Sequence, residues 1–560
     1  MLLAFISWIW IGTAAFLCGF AVLSCLFPRE AVNRRSVDLY IMAGLCVLTV
    51  YAQFFSLFYK VGGASTGILM MGCLAIIFIF RRKIQDYCRE QMRRVKWYWL
   101  LIFIILAGMI LVLTVQYTFH SDTDGYHAPS IRWIEEYGVV FGLGNLYHRL
   151  AYNSAFFCLQ ALFSMKFAVN QSLHTMNGFI AFIMLCYAVK SLSVFRKEGK
   201  IKSSDLLKLC LIFYFCIFEN RWQISSPGSD ISALSMVLYI SAKWCELCEE
   251  SCEDIQEFGV LCLLAVWTVT LKLSAAMIVL LAIYPGIQMI RSGSWKRICL
   301  FLAAGLIIVL PFLVRNVIIS GYLVYPYASV DIFDVDWKMP LSTVEGDNRE
   351  IRAWGRGMTD VENYDAPFSV WFPFWFQNIK TGYKAAFICN IACGVYAVIY
   401  GLSCLRQRKK LQEANLLLAS VAGFVFWFLS APLIRYGVVY MLIPLALSAG
   451  KILAGLKRAW IPEAGAVILL AAGMLLLLKT VSFYGAIPWK RPVEYSYHET
   501  DQVELDGVTI YVPQPPDDTV GYQFFPSTQN AGVIERIELR TGSLEDGFRT
   551  REEYMQAEWK

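Results

Sequence analysis

The chain has 560 residues, of which 58% are hydrophobic and 16% charged. Soluble domains run nearer roughly 45–50% apolar and about 25% charged, so an ordinary soluble enzyme and a disordered chain are both excluded. The composition is that of an all-α polytopic membrane protein, and the formal net charge of +6 hides an uneven distribution along it.

Residues 2–27 form one apolar run with no basic residue before it, and Arg29, Arg34 and Arg35 follow. A secretory signal has a positive start and a shorter apolar core. The run therefore reads as a retained helix whose C-terminal end is cytoplasmic. Further spans are predicted at 39–59, 62–80, 97–118, 172–195, 206–219, 231–247, 258–272, 274–290, 298–315, 384–404, 414–430, 436–455 and 464–484, about fourteen in all. Segment 153–169 is apolar but short, and it reads as a re-entrant or interfacial helix.

The basic clusters at 81–96, 196–208, Arg291/Lys296/Arg297, Arg406/Arg408/Lys409/Lys410 and Lys457/Arg458 all fall on one side of this arrangement. The positive-inside rule makes that side cytoplasmic, and the acidic stretch Glu246–Glu257 is allowed there because the rule counts lysine and arginine. Loops 119–152 and 316–383 and the tail 485–560 then face outward. The tail carries 7 basic and 14 acidic residues, net −7, which leaves +13 on the rest. Three parts follow: N-terminal helices with a basic loop (1–96), a transmembrane core (97–484) and the tail (485–560). In the tail, Val508–Val512 and Ile534–Leu539 alternate like strands, with a turn at Pro513–Pro516. This predicts a small β-rich appendage packed on the membrane domain. None of the 17 cysteines lies in 119–150, 316–383 or 485–560, which argues against a disulfide framework. Cys245, Cys248 and Cys252 are too few for a zinc site, with no histidine nearby.

The first outward loop reads His120-Ser-Asp122-Thr-Asp124-Gly-Tyr126-His127. Two carboxylates beside histidines at the membrane surface can hold a divalent cation or share a proton. Either role suits a base acting on a hydroxyl; the alternative is a solvated polar loop. No cofactor is required by the pattern, and Asp122 and Asp124 are the pair that would hold a cation. Ser130–Gly138, with Arg132, Trp133 and Tyr137, reads as an amphipathic helix on the membrane surface, ended by its glycine. Lys272 interrupts an apolar run in Thr270-Leu-Lys272-Leu-Ser274; a charge there costs about 2.5–3.5 kcal/mol and needs a partner or a task. Arg221, Arg315 and Arg435 also fall at outward helix ends. Such cations suit an anionic headgroup or a phosphate leaving group, or else snorkel. Asp331, Asp334 and Asp336 read as a solvated face, and Trp371–Phe376 as an interfacial belt. No nucleotide-binding loop or nucleophile elbow is present in the sequence, and nothing in it points to nucleic acid.

These residues resemble the GT-C superfamily of multispan glycosyltransferases, which use polyprenyl-phosphate-linked sugars. Asp122 and Asp124 occupy the place of the family's early carboxylate motif, Thr270-Leu-Lys272-Leu-Ser274 is similar to its break between short spans, and Arg315-Asn316, Ser320-Gly321 and Tyr325-Pro326 mirror its exit motif. The Asp-Gly-Tyr-His and Ile-Arg-Trp-Ile-Glu-Glu-Tyr-Gly runs are also similar to a group of uncharacterised bacterial membrane proteins of this layout. Three spans precede the carboxylate helix where the family usually has none. The resemblance implies a GT-C-like helical bundle that moves a sugar from a polyprenyl-phosphate carrier to a hydroxyl of an acceptor glycan or lipid, in cell-envelope polysaccharide synthesis. It implies Asp122, Asp124 and His127 at the reacting groups, Lys272, Arg315, Arg435 and Arg221 on the lipid phosphate, and His120, Tyr126 and Arg132 in the substrate loop. The rivals are a polysaccharide polymerase or ligase and a lipid-linked-glycan flippase; a flippase would carry internal repeats and midplane charges, and neither is visible in the sequence.

Overall fold

The computed structural model describes residues 1–26, 35–118, 120–192, 200–407, 410–454, 460–495, 498–517, 519 and 521–556. Among them eleven helices are long and apolar enough to cross a bilayer, so the chain is a polytopic membrane protein. Helices α1 (Leu2–Leu26) and α2 (Val37–Ser56) pack antiparallel. They cross at glycines: a Cβ on Gly19 would stand 1.9 Å from the Tyr40 carbonyl oxygen, and one on Gly44 1.7 Å from that of Ala15. Only small residues let membrane helices approach this closely. Helix α3 (Gly63–Arg94) has 32 residues and is about 48 Å long, well beyond the ~30 Å hydrocarbon layer. Most of the basic segment predicted as a loop at 81–96 is thus its projecting end.

After α4 (Trp97–Thr114) the chain makes α5 (Ala128–Glu136), α6 (Leu143–Leu146), α7 (Ala155–Leu162) and α8 (Lys166–Val169) before returning as α9 (Met176–Ser191). The eight residues of α7 are all buried; at about 12 Å this helix ends inside the protein. Then come α10 (Ser203–Cys216), α11 (Asp230–Glu249) and α12 (Ile255–Leu271). The spans predicted at 172–195, 206–219 and 258–272 are helices of 16, 14 and 17 residues, shorter than the eleven. Past Lys272 the chain tightens into a ten-residue 3-10 helix, Leu273–Ala282, and continues as α13 (Ile283–Arg291). The tighter winding stretches this segment to about 33 Å, enough to cross. Helix α14 (Trp295–Ser320) leads to the second large loop, with α15 (Leu341–Gly355) and the aromatic α16 (Phe368–Asn378). On α16, Trp371 and Trp375 are buried while Phe368, Val370 and Phe374 stay exposed, the two-sided pattern of an interfacial helix. Helices α17 (Thr381–Gln407), α18 (Leu411–Ser430), α19 (Ile434–Leu453) and α20 (Trp460–Tyr484) complete the bundle.

Long-range contacts sort the helix ends into two faces. On the basic face, Arg35 pairs with Glu257, Lys243 with Asp38 at 2.9 Å, Lys208 with Glu246 at 2.8 Å, and Lys451 with Glu413. These pairs explain why Glu246–Glu257 lies among the basic loops. On the opposite face the N-terminal ammonium donates to the Pro488 carbonyl at 2.6 Å, and Val493 N–H donates to Val115. Loops 119–152 and 316–383 and the tail share this second face.

The tail forms two antiparallel hairpins, β1 (Thr500–Leu505) with β2 (Val508–Pro513) and β3 (Ile537–Leu539) with β4 (Phe548–Thr550). Asp506 and Gly507 both take positive φ, 49° and 84°, as a two-residue hairpin turn requires. The tail does not fold on its own core. Ile510, Ile537, Leu539 and Phe548 pack with Trp133, Leu146 and Tyr322 of the loops. This corrects the reading of Ser130–Gly138 as a surface anchor. Trp133 is 1% exposed, its ring lies 4.6 Å from Phe525 and 5.9 Å from Phe548, and the tail covers the face expected to meet lipid.

Gly44→Leu is expected to lower the thermal midpoint of the detergent-solubilised protein by at least 5 °C or abolish its folding, because overpacking costs about 1–3 kcal/mol and here the obstacle is backbone. Gly67→Leu on α3, where nothing lies within 4 Å of the added carbon, is the control that leaves it within 1 °C.

Candidate functional site

Between Thr123 and His127 the first large loop winds as a wide, π-type turn: the Ala128 N–H reaches back five residues to the Thr123 carbonyl. Thr123 Oγ1 is 2.7 Å from Ser226 Oγ. Asn177 Nδ2 donates to the Ser226 and Gly228 carbonyls at 2.7 Å each, fixing the turn that enters α11. Gly228 is needed there, because a Cβ would stand 2.6 Å from the His127 ring. The turn thus seats His127 against the start of α11, with Tyr126 at 4.3 Å and His120 at 5.5 Å between ring centres.

Two ion pairs meet beside it. Arg435, in the first turn of α19, donates to Asp122 Oδ2 at 2.9 Å and to His120 Nε2 at 2.9 Å. The second bond requires an unprotonated Nε2, consistent with burial lowering the His120 pKa. Burial alone would raise the Asp122 carboxyl, but Arg435, His120 and His127 outweigh it and hold Asp122 below its usual range. Lys272, in the extended break after α12, binds Asp230 at the start of α11. Tyr436 joins the pairs: the Lys272 ammonium lies 4.1 Å from its ring centre, and Arg435 Nη2 donates to its hydroxyl at 3.2 Å.

These groups border a cleft of about 500 Å³ between α11, α12, α14, α15 and α18, a size typical of ligand sites. Its wall carries Lys272, Asp230, Arg352 and His127 as well as apolar side chains such as Phe312, Phe426 and Leu429. His127 Nδ1 and Ser274 Oγ, both on this wall, are buried with no hydrogen-bond partner among the described residues. Buried polar atoms are seldom left so, and a polar ligand in the cleft would satisfy them.

Of the residues singled out from sequence, Tyr126, His127 and Lys272 line the cleft, and His120, Asp122 and Arg435 stand next to it through Tyr436. Asp124 turns instead to the tail, with His498 Nε2 3.8 Å away; burial raises its pKa, and that histidine only partly offsets the rise. Asp122 and Asp124 therefore engage different partners. Arg132 donates to the Tyr522 and Gln523 carbonyls, fastening the tail. Arg315 is 2% exposed and donates to Asn153 Oδ1 and Ser56 Oγ; it ties α14 to α2 and does not reach the cleft. The Arg221 side chain lies outside the described residues. Sequence reading missed Asp230 and Arg352. An acid in a helix's first turn is ordinary, so Asp230 drew no notice, yet the lone Lys272 implied a carboxylate at the same depth. Arg352 lies within a loop helix, and nothing local marks it.

The His127 imidazole is pulled down to about 3, first by burial and then by His120, whereas an unfolded histidine titrates near ~6.5. Between those values the unfolded chain binds more protons, so this contribution to stability is lost as pH falls below about 6.5, by up to ~1.4 kcal/mol per pH unit. The melting midpoint in detergent is expected to fall from pH 6.5 to 5, and His127→Gln should fall less steeply. Equal slopes would remove His127 as a source of the acid sensitivity.

No curated protein matches the chain at a significant level. Residues 1–442, which hold both ion pairs and the whole cleft wall, match the family described as Domain of unknown function (DUF8201), and the chain belongs to that family.

Proposed function

We propose that the protein is a membrane glycosyltransferase of GT-C type, which moves a sugar from a polyprenyl-phosphate carrier to an acceptor hydroxyl. The work takes place on the outer face of the inner membrane, with the basic face cytoplasmic, and serves cell-surface polysaccharide or glycoconjugate synthesis. The observation that carries this reading is a single cleft at the helix ends lined by cations, a carboxylate and apolar side chains together. A lipid-linked sugar phosphate has a matching chemistry: an apolar chain, an anionic linkage and a polar sugar.

In this mechanism Lys272 and Arg352 take the bridging phosphate and stabilise the charge that grows on it as the sugar–oxygen bond breaks. Asp230 accepts the proton of the acceptor hydroxyl as that oxygen attacks the anomeric carbon. His127 and Ser274 orient the sugar through their unspent polar atoms. Asp122 holds Arg435 against Tyr436 and so sets the field around the cleft. This moves the base from the aspartates of the loop to the one on the cleft wall.

The test is release of polyprenyl phosphate from synthetic polyprenyl-phosphate sugars by purified protein, with acceptor glycan present. Asp230→Asn is expected to lose about 10²–10⁴-fold in rate and Lys272→Met about 10²–10³-fold, with each variant folded by its melting curve. Asp230→Asn at the wild-type rate would remove the base. Wild-type protein inert toward every donor, alongside unchanged surface glycans in a deletion strain, would remove the reaction.

A further inference from the structure

A second group of polar side chains lies behind the cleft. His148 sits on the short helical turn His148–Ala151 of the first large loop, while Asp347 and Glu350 lie three residues apart on one face of α15. One ligand atom from each, an imidazole nitrogen and two carboxylate oxygens, lies within 4.8 Å of the others. His148 Nε2 and Asp347 Oδ1 are 3.6 Å apart, too far for a hydrogen bond. Ligands held about 2.1 Å from one ion stand roughly 3–4 Å apart, so small rotations would close the set.

The second observation is Asp347 itself. The residue is 0% exposed. Tyr152 donates to its Oδ1 at 2.5 Å, the Tyr325 hydroxyl stands beside the carboxyl, and Oδ2 is buried with no hydrogen bond of normal geometry among the described residues. Burying a carboxylate so is costly unless a cation or further donors compensate. Arg149 offers partial help, at 3.7 Å from Glu350 Oε2, and its guanidinium also lies over the Trp354 ring. The group is reachable, because His148 and Glu350 line a cavity of about 820 Å³ between the loops and the tail.

We propose that His148, Asp347 and Glu350 hold a divalent cation that pins α15 to the first large loop. One imidazole with two carboxylates favours a borderline ion, Mn²⁺ or Zn²⁺, over the oxygen-preferring Mg²⁺ and Ca²⁺. The cation has a positioning role. Tyr152 and Tyr325, which flank Asp347, line the cleft on their other side, so the ion fixes that wall. This site stands apart from the Asp122 and Asp230 pairs and is independent of the reaction proposed above.

The full chain, purified in detergent and stripped with chelator, is equilibrated separately with Mn²⁺ and with Zn²⁺, and bound metal is measured by mass spectrometry beside the melting midpoint. One ion per chain and a raised midpoint are expected with at least one of the two metals. His148→Gln and Glu350→Gln should each weaken binding at least tenfold, and Asp122→Asn should keep it. Glu350→Gln has the same shape and lies at the cavity edge, so it carries the test if an Asp347 variant fails to fold. Wild-type protein that retains neither metal, unchanged affinity in both glutamine variants, or loss of the ion on Asp122→Asn would each overturn the proposal.

Discussion

A charge in a membrane helix must reach water or find an opposite charge, because at the centre of a span it costs about 2.5–3.5 kcal/mol. This protein pairs such charges across distant parts of the chain. Lys272 meets Asp230, and Arg435 meets Asp122, with Tyr436 touching both cations. Two contacts thereby fasten the break after α12, the starts of α11 and α19, and the turn of the first large loop. The basic face follows the same rule with Arg35–Glu257, Lys243–Asp38 and Lys208–Glu246. The cleft opens between helices whose ends are held in this way, which gives its wall a fixed geometry before any ligand arrives.

That pairing also bears on the proposed chemistry. At rest the Lys272 ammonium is neutralised by Asp230. A phosphate entering the cleft competes for the same ammonium, and as it takes hold, Asp230 loses its partner and becomes a better proton acceptor. Binding of the donor and activation of the acceptor would thus be linked through one lysine. Arg435 behaves differently. It spends its donors on Asp122, His120 and Tyr436, so it is better suited to holding the loop in place than to meeting a substrate.

The coarse architecture could be read from sequence because the bilayer constrains it strongly. Apolar runs located the helices, and lysine and arginine clusters sorted their ends. The interruption at Lys272 located a real break, where the chain leaves α12 and the ammonium finds Asp230. What escaped was set by distant contacts. Arg315 has the same local surroundings as a cation at a helix end, yet Asn153 and Ser56 claim it. Asp122 and Asp124 are two residues apart, but the π-type turn sends one to Arg435 and the other toward His498. Strand β1 was unpredicted because only Val503 and Leu505 alternate in Thr-Asp-Gln-Val-Glu-Leu, too short a signal; its register with β2 and the Asp506-Gly507 turn define it instead.

The tail shows how far such packing can go. Its thin, strand-like sequence predicts an appendage packed on the membrane domain, whereas a separate domain would close its own core. Here Phe548 N–H donates to the Phe141 carbonyl at 2.9 Å, and Gly547 takes φ +90° with its missing Cβ only 1.9 Å from that oxygen. Arg132 holds two tail carbonyls, and the N-terminal ammonium rests on Pro488. The family match ends at residue 442, yet Leu505, Ile510, Ile537, Leu539 and Phe548 beyond it pack with Trp133 of α5 and with Leu143 and Leu146 of the first large loop. Because α5 continues directly from the turn that carries Asp122 and His127, packing of the tail sets the position of that turn. The tail is therefore a structural part of the site, even though none of its described residues lines the cleft.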